Sequence, residues 1–407
     1  MIVNENKKIM KRFHQGLAAL LFVFFSGLSV LQAQNTAAPI NVITTAVPFL
    51  RISPDARAGG MGDLGLATSP DASSSFYNLS KTPFAKKDIG IGFTYTPWLK
   101  DLGLNDVYLL AASGYKKIDE QSAFSASIRY FSLGSIYFTD YTGADIGNGR
   151  PREFGADIGY SRKLGEKLSI GLAARYIYSN LAQGFANNTS ATYQPGKTFA
   201  ADISLFYHGV TDEAGGWNFG AAISNLGGKI GYTNDATSKD YIPADLGLGV
   251  SYTKVFDEDN KITFGLDLHK LLVPAAPVPQ DGGGPIDSAN LAAYHSKGLV
   301  GSWANSFSGP DQVKLIQASL GAEYGYQDQF FFRAGYYYED KTKGNRKYFS
   351  VGVGLKYNML GLNFSYLVPS GSGTNRNPLS NTLRFGLSFD LDGGSGDSGS
   401  SSPKTEQ

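Results

Sequence analysis

The feature that most constrains this chain is a period-two alternation of apolar with small or polar residues, repeated between residues 88 and 391. In the clearest segment one face is wholly apolar and consists of Phe349, Val351, Val353, Leu355 and Tyr357. Successive side chains of a β-strand point to opposite faces, so the pattern predicts strands with one apolar face. A lipid-facing barrel wall needs such a face, although soluble β-sandwiches alternate as well.

The lengths of the connections between strands favour a membrane barrel over a sandwich. Fourteen strands are predicted, starting near residues 88, 105, 121, 152, 167, 197, 216, 243, 261, 312, 329, 346, 360 and 381. Some connections are very short, such as 327–329, whereas others are long, such as 134–150 and 273–311. Outer-membrane barrels combine short periplasmic turns with long extracellular loops and have even strand numbers. The sequence therefore predicts an all-β fold, a 14-stranded antiparallel transmembrane β-barrel.

The first 33 residues are predicted to be a secretory signal peptide. Basic residues up to Arg12 precede the apolar stretch Leu17–Val30, which is shorter than the about 20 residues of a membrane-spanning helix. Residues 31–33 resemble a signal-peptidase site. An exported chain without a spanning helix is either soluble or a closed barrel, and the alternation selects the barrel of the outer membrane.

Four regions are therefore predicted. Residues 1–33 are the signal peptide, and residues 34–87, which lack the alternation and are rich in Gly and Pro, form an N-terminal hatch or plug. Residues 88–391 form the barrel, which includes the long extracellular loop 273–311. Residues 392–407 form a Gly/Ser-rich disordered tail.

Composition argues against several classes of site. The chain has no cysteine, which removes disulfides, zinc–thiolate sites and thiol nucleophiles, and a formal net charge of +1 favours no nucleic-acid partner. The four histidines are not spaced in the sequence as metal ligands are; they are His14, His208, His269 and His295. The stretch from Gly60 to Gly65 fits G-x-G-x-x-G, but without a strand–helix unit around it, tight turns in a plug are the better interpretation. We therefore expect no metal, no cofactor and no enzymatic activity.

Charges of both signs fall on the predicted inward faces of the strands. They are Arg129, Asp157, Arg175, Asp202, Asp267, Glu323, Arg333, Lys356 and Arg384. Unpaired charges in a dry lumen are costly, so these groups are expected to pair or to stay hydrated. The balance of signs favours pairing around a plug over a charged substrate path.

Residues 54–78, PDARAGGMGDLGLATSPDASSSFYN, resemble the hatch of the FadL-like barrel family. In that family the pattern AxxMGxAGxA, followed by DAxxxxxNPA, precedes the first barrel strand. The matching residues are Ala58, Met61, Gly62, Gly65, Ala67, Asp71, Ala72 and Asn78. The chain departs from the pattern at Leu64, which replaces an alanine, and at Leu79-Ser80, which replaces Pro-Ala. Residues 129–140, RYFSLGSIYFTD, look like the third strand of PorV-like members of the family, which belong to the type IX secretion system of the Bacteroidetes.

The resemblance implies a FadL-like barrel whose lumen is plugged by the N-terminal segment. The plug residues it implies are Arg57, Met61, Gly62, Gly65, Asp71 and Asn78. PorV-like barrels bind the C-terminal β-domain of secreted cargo, collect the cargo from a large translocon barrel and carry it to a surface attachment complex with a sortase-like protease. The implied partners are thus the translocon, the cargo domains, the attachment complex and outer-membrane lipid.

Two other functions stay open on the sequence. A FadL-type transporter of hydrophobic small molecules would need a movable hatch, a lateral opening and an apolar internal pocket. An outer-membrane lipid hydrolase would need His269, which is flanked by the inward Asp267, close to a serine at the barrel rim.

The loop 273–311 is long enough to suggest a function of its own. Its first half is rich in Pro and Gly, and its second half is predicted to form a short helix with Leu299, Trp303 and Phe307 on one face. One hypothesis is that this apolar stripe docks a protein partner, with Trp303 as the anchor. The alternative hypothesis is that the stripe folds back and caps the barrel mouth.

Overall fold

A computed structural model describes nine stretches of the chain. They are residues 42–100, 103–139, 142–182, 193–234, 239–274, 277, 288–308, 312–368 and 381–392. The predicted signal peptide, and the predicted tail from residue 393 onward, lie outside the described residues, as does most of the first half of the loop 273–311.

Sixteen strands account for most of the described residues. They are β1 (Ile89–Pro97), β2 (Val107–Lys117), β3 (Ser122–Leu133), β4 (Ile136–Thr139), β5 (Asp145–Gly149), β6 (Arg152–Lys163), β7 (Leu168–Asn180), β8 (Gly196–His208), β9 (Gly215–Gly227), β10 (Asp245–Val255), β11 (Asn260–Leu271), β12 (Ile316–Tyr326), β13 (Phe330–Tyr338), β14 (Lys347–Tyr357), β15 (Leu360–Val368) and β16 (Leu383–Leu391).

Fourteen of these strands close into one antiparallel barrel, as the alternation predicted. Neighbours in the chain are neighbours in the barrel, and β1 closes the ring against β16, with Ile89 opposite Leu391. The remaining two strands, β4 and β5, form a separate hairpin in the connection between β3 and β6. The motif at residues 129–140 therefore covers the end of β3 and the first strand of this hairpin.

The two ends of the barrel differ in their connections. At one end six short turns join the strands, and the longest of them is residues 209–214. Strand β1 begins and strand β16 ends at this same end. At the other end the connections run from eight residues, 339–346, to the segment 272–315. Short turns mark the periplasmic end of outer-membrane barrels and long loops the extracellular end. The short-turn end is called the periplasmic end below, and the opposite end the outer mouth.

The outer wall has the apolar face that a bilayer requires. On β14 the side chains of Phe349, Val351 and Val353 are exposed, whereas Ser350 between them is 1% exposed. Phe199 on β8 is 71% exposed and Ile158 on β6 is 70% exposed. Large apolar side chains at this exposure are stable only in contact with lipid or another apolar surface, so the alternating pattern corresponds to a lipid-facing wall.

The segment before β1 lies inside the barrel and is called the hatch, residues 42–88. It contains α1 (Ala56–Gly60) and three 3-10 turns, at Pro48–Arg51, Ser74–Phe76 and Leu79–Phe84. Helix α1 packs against β14 and β15, while the turn at Leu79–Phe84 packs against β6, β7 and β8. The hatch therefore touches the wall on both sides of the lumen.

Two further helices lie in the connection between β11 and β12, namely α2 (Ser288–Ser296) and α3 (Leu299–Asn305). Over the described residues, helices that combine the length and the apolar character needed to cross a bilayer are absent.

Candidate functional site

Arg57 is the centre of the contacts between the hatch and the wall. Asp55 caps the N-terminus of α1 by accepting the backbone N–H groups of Arg57 and Ala58, at 3.2 and 2.9 Å, which fixes where the Arg57 side chain begins. The guanidinium then donates from Nε and Nη2 to the two carboxylate oxygens of Glu323, at 3.0 and 2.8 Å. Its Nη1 donates to Asp71 at 2.7 Å. Arg57 thus holds one hatch carboxylate and one wall carboxylate at once.

The pair of Arg57 and Glu323 continues into the wall. Arg333 on β13 donates from Nε to Glu323 at 2.6 Å and from Nη1 to Asn363 at 2.9 Å. Glu323 and Arg333 are both buried. The result is a chain of alternating charge that runs from the hatch into β12 and β13, and in which each buried charge faces an opposite one.

Asp71 shows how strongly this network favours charged carboxylates. Burial raises the pKa of Asp71, but the charges of Arg57 and Lys81 and the hydrogen bonds from Arg57 and Ser73 together outweigh burial and leave the pKa below its ordinary value. Asp71 also accepts the backbone N–H of Ser73 at 2.9 Å, which orders the turn that follows. Arg57 and Asp71, both of which the resemblance implied for the plug, therefore form an ion pair.

A second ionic contact lies one turn beyond α1, at Asp63. This residue has a left-handed backbone with φ of 67°, which points its carboxylate at the wall. Arg384 on β16 lies 3.2 Å from Asp63 Oδ1, and the Tyr348 hydroxyl on β14 donates to Oδ2. Arg384 is 1% exposed, so its charge depends on Asp63 for compensation.

Main-chain groups of the hatch are also bound by wall side chains. Asp267 on β11 accepts the N–H groups of Gly65 and Leu66 with the same oxygen, at 2.7 and 2.8 Å. Asn78 donates to the carbonyls of Leu66 and Leu205, at 3.0 and 2.9 Å, and so joins two parts of the hatch to β8. These bonds satisfy backbone groups that a loop buried in a dry lumen would otherwise leave without partners.

Close packing of main chain on main chain explains two of the plug glycines. Gly62 has φ of 70°, a conformation that favours glycine, and its N–H donates to Ser350 Oγ at 2.8 Å. On the wall opposite, a Cβ added at Gly335 would overlap main-chain atoms of Met61 and Gly62. Met61 itself is 1% exposed. All six residues that the resemblance implied for the plug thus contact the wall or the rest of the hatch inside the lumen, with Gly65 packed against the ring of Tyr77.

The outer half of the lumen is filled by apolar residues of the hatch. Val47, Phe49 and Leu50 are at most 6% exposed and form one cluster with wall and loop residues. Those partners are Trp98, Val107, Leu109, Phe131, Ile177, Ala200, Ile230 and Ile242. Over the described residues, this part of the lumen is thus occupied by the protein's own apolar side chains.

A second charge network lies on the opposite wall, in β6, β7 and β8. Arg175 contacts Asp157, and its Nη2 lies 2.8 Å from Asp202. Asn225, which the strand pattern does not single out, accepts from Arg175 and adopts φ of 59° within a bulge of β9 opposite Asp202. Its N–H donates to Asp202 at 2.7 Å. Most of the charges predicted to face inward are therefore paired. Lys356 is also paired, with Asp390, but near the periplasmic end, where its side chain is 38% exposed.

Lys81 is a fully buried cation of the hatch without a direct ionic partner among the described contacts. Its Nζ donates to Gly65 O at 2.8 Å and to Thr68 Oγ1 at 3.1 Å. Burial lowers the pKa of Lys81 from 10.5 to about 8, since these neutral acceptors and the more distant carboxylates only partly replace the lost hydration.

The stability of the hatch is therefore expected to rise between about pH 8 and pH 10.5. In that window the unfolded chain keeps the Lys81 proton that the folded protein has released, so increasing pH favours the folded state. The rise attributable to Lys81 is about 3 kcal/mol, and Lys81→Met is expected to lack it. Thermal unfolding of both proteins across this pH range measures the difference. Parallel pH profiles for the two proteins would contradict the assignment.

At the outer mouth, the connection between β11 and β12 packs onto the barrel. Tyr294 of α2 and Leu299 of α3 lie in one apolar cluster with Tyr241, Leu271 and Ile43. Lys229 donates to the carbonyls of His295 and Lys297, at 2.5 and 2.9 Å, and so binds the C-terminal end of α2. The described part of this connection is therefore fixed over the mouth by the preceding loop and by the first residues of the hatch.

The three residues of the apolar stripe predicted on this connection, Leu299, Trp303 and Phe307, do not share one environment. Leu299 and Trp303 lie in α3 and are half-buried, and Leu299 packs towards the mouth as the capping hypothesis expected. Phe307 follows the end of α3 and is 52% exposed, with Lys270 Nζ 5.2 Å from its ring centre. Val300, which the sequence analysis did not name, is 72% exposed on α3. The exposed side chains of Val300 and Phe307 therefore lie beside Leu299, which packs over the barrel mouth.

His269 lies on β11 below the outer mouth, and its Nδ1 is 2.6 Å from Asp245 Oδ2. The neighbouring Asp267 is committed to the hatch N–H groups described above. The described contacts of His269 thus join it to a carboxylate of β10, and the sequence-based hydrolase hypothesis gains no serine partner from them.

Comparisons with known proteins give one family. The sequence model of the family described as "Type IX secretion system protein PorV" matches residues 34–278. A search of curated proteins gave no significant match. Among solved structures, the Ralstonia pickettii toluene transporter TbuX aligns at 12% identity and a TM-score of 0.47, over 82% of this chain and 97% of that one. The Pseudomonas putida toluene transporter TodX aligns at 12% identity and 0.46, over 86% and 98%. A Pseudomonas aeruginosa FadL homologue aligns at 12% identity and 0.44, over 87% and 100%.

Proposed function

The chain belongs to the family of the type IX secretion protein PorV, and on that premise we propose that it binds the C-terminal signal domain of secreted cargo and carries it from the translocon to the surface attachment complex. The chain is an outer-membrane β-barrel. We propose in addition that the barrel does this without catalysing a reaction itself.

The observation that supports this proposal most directly is that the hatch occupies the lumen and is bound to the wall by ion pairs and hydrogen bonds. The hatch is bound to β12 through Arg57 and Glu323, to β16 through Asp63 and Arg384, and to β11 through Asp267. Moving the hatch would expose several buried charges at once, and each broken buried pair costs roughly 3–5 kcal/mol. A protein that binds its cargo on the outside has no need to open this lumen.

Recognition is accordingly assigned to the outer mouth. The connection between β11 and β12 is held in place by Lys229 and the cluster around Leu299, so it offers a preformed surface. Val300, Phe307 and Val313 expose 72, 52 and 81% of their surface there. Exposed apolar groups on a fixed scaffold are typical of protein-binding sites, because little conformational freedom is lost on binding.

The family supports a proposal for the partners. We propose that the large translocon barrel hands over cargo, that the cargo's C-terminal β-domain contacts the outer loops, and that the attachment complex with its sortase-like protease receives it. In this scheme the chemistry is carried out by the attachment complex, so the barrel itself acts without catalysis.

The alternative, a FadL-type transporter of hydrophobic small molecules, needs a hatch that moves and a lateral opening. Among the described wall strands, pairing runs without a register shift except between β8 and β9, where β9 has one extra residue opposite Asp202. The hatch contacts favour the shuttle.

Variants of the outer mouth test the shuttle. Phe307→Asp and Trp303→Asp are expected to weaken binding of a purified cargo signal domain by about 30-fold, as loss of an interface anchor does. Trp303→Phe, which keeps an aromatic ring, is the control and is expected to bind within a few-fold of the unaltered protein. The measurement is titration of the cargo domain against the barrel in detergent, with migration of the unheated band on a gel as the check of folding.

Because Phe307 is exposed, its substitution opens no packed cluster and separates docking from capping. Unchanged affinity in Phe307→Asp and Trp303→Asp together would remove the docking role of this stripe and leave only the capping role.

A further inference from the structure

The lipid-facing wall contains a concave groove that neither the hatch nor the outer mouth explains. It crosses β1, β2, β3, β6 and β7 and encloses about 1140 Å³. Its middle is formed by the small outward residues Ala112, Gly114 and Ala126, and its sides by larger ones such as Phe93 and Ile158. The outside of a barrel is ordinarily convex, so a run of small residues between large ones produces a depression in the wall.

The groove lies in the half of the wall that is nearer to the periplasmic end. Its residues on β2 are 112–116, just before the turn that starts at Ile118, and its residues on β1 are the first few of that strand. The groove therefore faces the inner leaflet of the outer membrane. Its lining is almost entirely apolar, and its volume is slightly above the about 300–1,000 Å³ of sites that hold small organic ligands.

Cationic side chains lie at the periplasmic edge of the groove. Lys116 is exposed and lines the groove, opposite Phe124 on β3. Phe124 is in turn opposite Tyr160 on β6, with 5.4 Å between ring centres. Arg162, exposed on the same face of β6, follows one outward position closer to the periplasm. Aromatic rings at this level mark the membrane interface, so the two cations lie at the depth of the lipid phosphates.

We propose that this groove is a binding site for an anionic phospholipid of the inner leaflet. An acyl chain lies over Ala112, Gly114 and Ala126, and the phosphate is attracted by Lys116 and Arg162. The apolar groove accounts for the chain, and the cations at its edge account for the preference for a negatively charged headgroup, since each Lys or Arg near the surface attracts anionic lipid. The occupant is thus identified by complementary charge as well as by apolar shape.

Native mass spectrometry tests the site with the intact barrel in detergent and an equimolar mixture of phosphatidylglycerol and phosphatidylethanolamine. The unaltered protein is expected to retain one phosphatidylglycerol in preference to phosphatidylethanolamine. Ala126→Phe, which fills the groove from the lipid side, is expected to reduce retained lipid by about tenfold or more. Lys116→Gln is expected to keep lipid but to reduce the preference for phosphatidylglycerol about fivefold.

Matched controls come from other parts of the wall. Ala334→Phe places the same ring on an exposed, outward alanine of β13, and Lys254→Gln removes an exposed, outward lysine near the periplasmic end of β10. Both are expected to retain lipid as the unaltered protein does. Equal lipid retention by Ala126→Phe and Ala334→Phe, or equal binding of the two lipids by the unaltered protein, would overturn the proposal. So would a protein subunit found bound over the groove in place of lipid.

Discussion

Replacing Glu323 by Gln is expected to loosen the hatch strongly. The substitution leaves Arg57 and Arg333 buried and facing each other without the carboxylate that both of them bind. Removing one partner of a buried ion pair typically costs about 3–5 kcal/mol, because the remaining charge is desolvated and uncompensated. Here two guanidinium groups lose their shared partner, so the upper part of that range is expected.

Two measurements follow the effect of Glu323→Gln. Thermal unfolding of the barrel in detergent is expected to shift to lower temperature, and single-channel recordings in planar bilayers are expected to show openings that the unaltered protein lacks. Asp328→Asn is the matched control, since Asp328 forms a solvent-exposed pair with Lys261 in a periplasmic turn. Exposed pairs contribute about 0–1 kcal/mol, so this variant is expected to behave as the unaltered protein. Equal stability and equal conductance in both variants would show that the lumen pairs do not hold the hatch.

Gly335→Val is expected to prevent the hatch from seating. The main chain at Met61 and Gly62 lies directly against Gly335, so a side chain there overlaps the hatch backbone. Overpacking in a close-packed interior typically costs about 1–3 kcal/mol when side chains can move aside. The hatch backbone at Gly62 is fixed by its hydrogen bond to Ser350 and by the local turn, so it moves aside less easily than a side chain. The loss of stability in Gly335→Val is therefore expected to reach or exceed the upper end of that range.

The control for Gly335→Val is on the same strand. Ala334→Val adds the same kind of side chain at the adjacent position, which faces lipid, and is expected to leave stability and conductance unchanged. Increased sensitivity of cells to large antibiotics, together with channel openings of the purified protein, is the expected result for Gly335→Val. A Gly335→Val barrel that stays closed and keeps its thermal stability would contradict the close packing of hatch on wall.

Strand positions were predictable from the sequence because the lipid and the lumen impose opposite requirements on successive residues. The start of β6 was predicted at residue 152 and that of β15 at residue 360, where the structure also begins them. The largest shift is in β12, predicted from about 312 but beginning at Ile316, because a 3-10 turn at Gln312–Leu315 precedes it. The β4–β5 hairpin was missed, since four of the five residues of β5, Asp145–Gly149, are polar or glycine and the strand shows no apolar face.

The pairing of the lumen charges could not be predicted. Alternation indicated that Glu323 and Arg333 face inward, but their partner Arg57 is 266 residues from Glu323 in the chain. Such contacts depend on how the hatch lies in the lumen, which strand patterns do not encode. Asn225 was missed for a related reason, since its role depends on a local bulge in β9.

The outer mouth was predictable in part. Helical spacing predicted a helix at Leu299, and α3 begins there, but spacing alone did not distinguish the packed Leu299 from the exposed Phe307. Capping depends on contacts with Tyr241 and Ile43, which come from a different loop and from the hatch. The docking role of Trp303 therefore stays a prediction.

Purification of the tagged protein from native outer membrane in mild detergent, followed by identification of what accompanies it, tests the central claim most directly. The shuttle predicts a very large barrel protein, or secreted proteins that share a C-terminal β-domain, and predicts that both are lost from Phe307→Asp. Recovery of only fatty acids or other small apolar ligands, without protein partners, would contradict the shuttle and favour a transporter whose hatch moves around Arg57 and Asp71.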